Sequence, residues 1–135
     1  MDTNVFIAAL RSKSGASYRL LLLVGLGRFE VVMSVPLVLG YEAVANRMMA
    51  EIPIDGGGLE DLLSYLCGVA DPVKIHFLWR PLLGDAKDDM VLELAVAGRC
   101  DCIVTHNGKD FEGGIRFGIE VISARNFLRS IGELS

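Results

Sequence analysis

The sequence predicts an α/β fold, a parallel sheet with helices over both of its faces. Short β-branched runs alternate with helical patterns along the chain, which is the signature of strands joined by crossover helices. Acids gather where one helix begins, at Asp85, Asp88 and Asp89, and polar groups gather where the next strand ends, from Thr105 to Asp110. In an open α/β sheet those two places meet beyond the carboxyl ends of the strands, so a functional site is expected there.

The bulk numbers suit this. The 135 residues read as one domain spanning 1–135, long enough to bury a core. Apolar residues make up 52% and charged residues 22%, which excludes disorder. A net charge of −4 gives no global attraction to nucleic acid, so any such partner must meet a local basic rim or metal-neutralised acids. The apolar run Leu20–Val24, bracketed by Arg19 and Arg28, is too short to span a membrane. With no visible signal peptide and an odd cysteine count, a reducing cytoplasm is expected. Cys67, Cys100 and Cys102 lack zinc-like spacing and read as ordinary buried thiols.

Taken in order, the chain starts abruptly. Asp2-Thr3-Asn4 lacks the apolar run that normally precedes an acid at a strand's end, so either a first strand is missing or Asp2 lies on a frayed terminus. Ala8–Ala16 reads as a loop or a helix end passing into one, and Ser17–Leu26 as a buried helix closed by Gly25 and Gly27. Phe29–Met33 is a short strand. Ser34 caps a helix reaching about Met49, with Pro36 in its first turn. Its apolar positions Leu37, Val38, Tyr41, Val44, Ala45 and Met48 recur at helical spacing. Ile52–Gly58 reads as a flexible joint, Leu59–Val69 as an amphipathic helix and Val73–Trp79 as a strand ended by Pro81. Asp88–Ala97 is a helix, Asp101–Thr105 a strand, Ile119–Ile122 a last strand and Ser123–Ile131 a capped terminal helix.

Three groups of residues could carry chemistry. Asp2 is either a metal ligand at a strand's end or a solvated terminal acid. Asp85, Asp88 and Asp89 sit at a helix start, where one or two acids complement the macrodipole by about 0.3–1 kcal/mol each. A third gains little and repels the others, which points to a hard cation such as Mg²⁺ held by carboxylates and water. In the stretch Thr105–Phe111, Asn107-Gly108 is a turn signal, and Asp110 is either a ligand or a turn acceptor. His76 and His106 have no partner at ligand spacing. Lys109 either contacts phosphate or is plain surface.

Together these pieces resemble the PIN domain, most closely the small bacterial PIN proteins of toxin–antitoxin pairs. The resemblance rests on Asp2-Thr3-Asn4-Val5, Ser34-Val35-Pro36-Leu37-Val38-Leu39, Asp85-Ala86-Lys87-Asp88-Asp89 before Leu92-Glu93-Leu94-Ala95, and Ile103-Val104-Thr105-His106-Asn107 running to Asp110-Phe111. It implies a three-layer α/β/α sandwich around a central parallel sheet, here with its first strand missing or truncated. It implies an endoribonuclease that uses Mg²⁺ or Mn²⁺ to cleave single-stranded RNA, in the cytoplasm. Its expected partners are that RNA, an antitoxin protein and a second copy of the chain. Asp2, Glu42, Asp88 and Asp110 become catalytic candidates. Asp2, Asp85, Asp88, Asp89 and Asn107 become metal candidates, and Asn4, Thr105 and Lys109 substrate-binding ones.

One departure bears on activity. The family glutamate falls six residues after the serine matched to Ser34, and that position is Gly40. Glu42 is the nearest replacement, but it lies about 200° further around an ideal helix. A glycine inside a helix also costs about 1 kcal/mol relative to alanine. Attenuated catalysis is one expectation from Gly40, and a degenerate PIN module that binds without hydrolysis is the alternative. A phosphoryl-transfer domain with an aspartyl nucleophile at Asp2 is a weaker rival, because its second acid would have to be Asn4.

Overall fold

The computed structural model describes residues 1–73 and 86–134. Six α-helices, one 3-10 helix and four short strands occupy them. Helix α1 (Thr3–Arg11) begins at once, capped by Asp2, whose carboxylate accepts the Thr3 amide. Of the two readings of Ala8–Ala16, the helix end passing into a loop holds, with the helix reaching Arg11. Helix α2 (Ala16–Leu23) follows and ends in Gly25 and Gly27, both at positive φ. Strand β1 is Val32–Met33. Ser34 accepts the Leu37 amide and launches α3 (Val35–Arg47), with Pro36 in the first turn as its sequence requires.

The stretch read as a flexible joint is shorter than expected. Asp55 caps α4 (Gly56–Val69) by accepting the Gly58 amide, so three consecutive glycines form the first helical turn. Strand β2 (Asp71–Pro72) precedes the predicted Val73–Trp79 strand, most of which lies outside the described residues, as do Pro81 and Asp85. Helix α5 (Ala86–Ala97) leads to β3 (Cys102–Val104). The polar turn after β3 becomes a 3-10 helix, Gly108–Phe117, followed by β4 (Glu120–Ile122) and α6 (Ala124–Ser130), capped by Ser123.

Both strand pairings are parallel, as the alternation of strand and helix predicts. Val32 and Met33 pair with Asp71 and Pro72, and Cys102, Ile103 and Val104 pair with Glu120, Val121 and Ile122. Among the described residues these form two separate two-stranded sheets rather than one. Successive residues of a strand point to opposite faces. Ile103 accordingly enters a large core shared by α1, α3, α4 and α5, and Val104 enters a smaller one with Val5, Leu20, Ala124 and Leu128. Strand β3 is thus buried on both faces.

Helix α5 packs against β1, β3 and α3. Val91, Leu92, Leu94 and Ala95 are all buried, as are the acids Asp89 and Glu93. The Gly-Arg break after α5 divides its labour unexpectedly. Arg99, not the glycine, takes the left-handed backbone. Gly98 instead allows close approach, since a Cβ there would sit 3.2 Å from both γ-carbons of Val32.

Helix α1 is held from several directions. Phe6 stacks on Tyr41 of α3 at a centroid distance of 4.4 Å, an arrangement worth about 0.5–1.5 kcal/mol beyond burial. The Tyr41 hydroxyl donates to the Met1 carbonyl. The Asp2 amide donates to the Val104 carbonyl at 2.8 Å. Asp2 is only 8% exposed, so neither a frayed terminus nor a solvated acid describes it.

Candidate active site

Four segments converge on one open cavity of about 930 Å³. Helix α1 contributes Thr3, Asn4, Ile7, Ala8 and Arg11, spaced as one helical stripe. Helix α3 contributes a second stripe, Pro36, Gly40, Ala43, Val44 and Arg47. The first turn of α5 adds Lys87, Asp88 and Met90, and the turn after β3 adds His106, Asn107 and Asp110. Asp2 lies at the junction. A helix start and a strand end therefore meet, as the arrangement of acids and polar groups suggests.

Thr105 ties this junction together. It is buried, and its hydroxyl donates to Asp2 Oδ2 at 2.7 Å while Asp2 Oδ1 accepts the Thr3 amide at 2.8 Å. The same hydroxyl oxygen accepts the Asn107 amide at 3.1 Å and lies 3.4 Å from Asn4 Nδ2. Asn4 Oδ1 in turn accepts the His106 amide at 3.3 Å. His106 Nε2 lies 3.0 Å from the buried Ser17 hydroxyl. The α1 start and the post-β3 turn are thereby one hydrogen-bonded unit, and the Asp2 carboxylate is held in one orientation.

The predicted site residues separate clearly. Asp2, Asn4, Asp88, Asn107 and Asp110 line the cavity. Thr105 stands directly behind them. Asp89, though adjacent to Asp88, is buried and outside the lining. Lys109 is exposed and also outside it. Asp85 lies beyond the described residues. Glu42 is exposed and off the α3 stripe, as its angular offset from Gly40 requires. Gly40 sits in the middle of that stripe, and a Cβ built on it meets nothing within 4 Å.

Sequence reading missed Arg11 and Arg47. Both lie in the last turns of their helices and on the cavity rim. The i, i+4 and i+7 spacing from Asn4 to Arg11 was the available signal, but it is readable only once α1 is known to be a helix. Arg19 and Arg28, by contrast, are ion-paired to Glu133.

The donor set suits a hard divalent ion. Asp2, Asp88 and Asp110 offer carboxylates and Asn107 an amide oxygen, all around one cavity. Among the described residues no three acidic, histidine or cysteine side chains are gathered closely enough to clasp one ion. Among the described residues no helix is long and apolar enough to cross a membrane.

No curated protein and no solved structure matches this chain. A family model for the PIN domain matches residues 1–109, a span that contains both stripes, the start of α5 and Asn107. With that match over most of its length, the chain belongs to the PIN domain family.

Proposed function

We propose that this chain is a metal-dependent endoribonuclease of PIN type acting on single-stranded RNA, the toxin of a toxin–antitoxin pair. PIN domains are generally nucleases and typically metal-dependent. The observation that carries the reading is that Asp2, buried and fixed by two hydrogen bonds, shares one cavity with Asp88 and Asp110. Mg²⁺ or Mn²⁺, when bound, supplies an activated water and neutralises charge on the scissile phosphate. Asp2 and Asp88 would hold the ion, with Asp110 and Asn107 reaching it through its waters. Thr105 and the Thr3 amide keep the Asp2 carboxylate aimed at the cavity. Arg11, Arg47 and Lys87 attract the polyanion to an otherwise acidic pocket.

The wider setting belongs to the same proposal: a three-layer sandwich, a cytoplasmic location, a cognate antitoxin and a homodimer. The exposed apolar side chains Val35 and Leu39, which share one cavity wall on α3, support a protein partner. The decisive assay is RNA cleavage titrated with Mg²⁺ and Mn²⁺. Cleavage should stop in chelator and fall at least a hundredfold in Asp88→Asn. Cleavage that persists in chelator overturns the reading.

A second reading has its own observation. Gly40 leaves a gap in the cavity wall, and Glu42 does not line the cavity. A degenerate PIN module that pairs with an antitoxin or with itself, without hydrolysis, fits that gap. The Gly40→Glu variant separates the two, since a chain that stays silent with that carboxylate in place is a binding module.

A further inference from the structure

His106 lines the acidic cavity, yet the group that holds its ring lies outside it. Its backbone amide donates to Asn4 Oδ1 of α1 at 3.3 Å, and its Nε2 lies 3.0 Å from the Ser17 hydroxyl of α2. Two helices thus fix one exposed side chain, α1 through the backbone and α2 through the ring. Ser17 is the opposite case. It is only 4% exposed and is not part of the cavity lining.

Burial decides which atom carries the shared proton. Among the described residues the Ser17 hydroxyl has no hydrogen-bond partner other than His106. If it only accepted from the ring, its own proton would be buried without an acceptor, which is costly. The Ser17 hydroxyl therefore donates to Nε2. A neutral imidazole carries one proton, so with Nε2 accepting, that proton sits on Nδ1. Among the described residues Nδ1 has no hydrogen-bond partner. The ring is thereby locked with a donor left over.

We infer that Ser17 and His106 work as a pair on the substrate: Ser17 fixes the ring and its tautomer, and His106 donates its Nδ1–H to a non-bridging phosphate oxygen of the RNA. His106 is then a substrate-binding residue and Ser17 a positioning residue. The same chemistry disposes of the rival roles. A ring nitrogen that carries a proton has no lone pair for a metal, and Nε2 is taken by Ser17, so His106 does not join the oxygen donors. A serine beside a histidine resembles an activated nucleophile, but a buried hydroxyl off the cavity cannot reach a scissile phosphate. A donor suits this wall, because Asp2, Asp88 and Asp110 line the same cavity and offer a phosphate only acceptors. The phosphate contact rests on the nuclease reading, whereas the tautomer does not.

The test has a spectroscopic arm and a binding arm. In a long-range proton–nitrogen NMR spectrum at about pH 8, where histidine is ordinarily neutral, His106 should show Nδ1 protonated and Nε2 bare. Ser17→Ala should lose that preference, and Ser17→Thr, which restores the hydroxyl, should keep it. A proton on Nε2 in the unaltered chain overturns the inference without any variant. The binding arm follows a short single-stranded RNA by fluorescence anisotropy with Mg²⁺, in an Asp88→Asn background so that the probe is not consumed. His106→Phe keeps a flat ring but no donor, and should bind about tenfold more weakly. His106→Asn, whose amide can stand where Nδ1 stood, should stay within about threefold of the parent. Ser17→Ala should weaken binding by about threefold, and Ser17→Thr should restore it. If His106→Phe binds as tightly as the parent, the ring stacks on a base instead and the phosphate contact is overturned alone. If the parent binds no RNA and the unaltered chain cleaves none, the nuclease reading falls together with the contact.

Discussion

The Thr105 hydroxyl donates to Asp2 Oδ2 at 2.7 Å, across 103 positions of sequence. One bond thus links the end of β3 to the start of α1 and orients the acid on which the candidate site depends. Thr105→Val keeps the shape but leaves a buried carboxylate oxygen without its donor. We expect a loss of about 1–3 kcal/mol in denaturant unfolding, together with weaker metal dependence of cleavage. A variant with unchanged stability and unchanged metal response would show that Asp2 is oriented by other groups.

Gly40 occupies an interior helical position with open space above it. Gly40→Ala should therefore stabilise the protein by about 1 kcal/mol, through helix propensity alone. Gly40→Glu should gain less stability without metal, because it adds a carboxylate to a cavity already lined by Asp2, Asp88 and Asp110, but should raise RNA cleavage severalfold. Comparing the two separates backbone effect from chemistry. Equal cleavage by the Ala and Glu variants would mean that position 40 supplies no catalytic group.

Arg11 and Arg47 end the two helical stripes on the cavity rim. Replacing both with alanine should weaken binding of a short single-stranded RNA and flatten its salt dependence. Two lost phosphate contacts lower the log–log slope by about 1.4. Stability should barely change, because both side chains are exposed. An unaltered slope, read by fluorescence anisotropy at several salt concentrations, would place the RNA elsewhere.

The cysteines give a chemical check on burial. Burial pushes the Cys100 and Cys102 thiols above their usual pKa, so at neutral pH they carry less of the reactive thiolate. Cys67, expected from the sequence to be a buried thiol, is instead exposed on α4. Iodoacetamide should modify Cys67 first, with Cys100 and Cys102 lagging until the pH is raised. Peptide mapping over time reads the order, and simultaneous labelling at neutral pH would contradict it.

Local chemistry was legible in the sequence wherever a cap or a period spoke for itself. Ser34, Pro36 and the Leu37–Met48 spacing define α3 within a few residues, because capping and amphipathicity act over single turns. Which of the adjacent acids faces the cavity was not legible from spacing alone: Asp88 lines it and Asp89 is buried. The α1 helix was hidden because its cap, Asp2, resembles an isolated terminal acid until Val104 and Thr105 are brought against it. The rim arginines were hidden with it, since a stripe exists only on a helix.

The sequence by itself determined the alternation of strand and helix and the inventory of oxygen donors, which short-range periodicity and residue type set, while its ordered motifs carried the resemblance to the PIN domain. Only the tertiary structure decided which of those donors share a cavity, that Asp2 is buried and doubly hydrogen-bonded, and that the described strands pair as two sheets. Those are consequences of contacts between residues some hundred positions apart, and no local pattern encodes which distant group will satisfy a given carboxylate or amide.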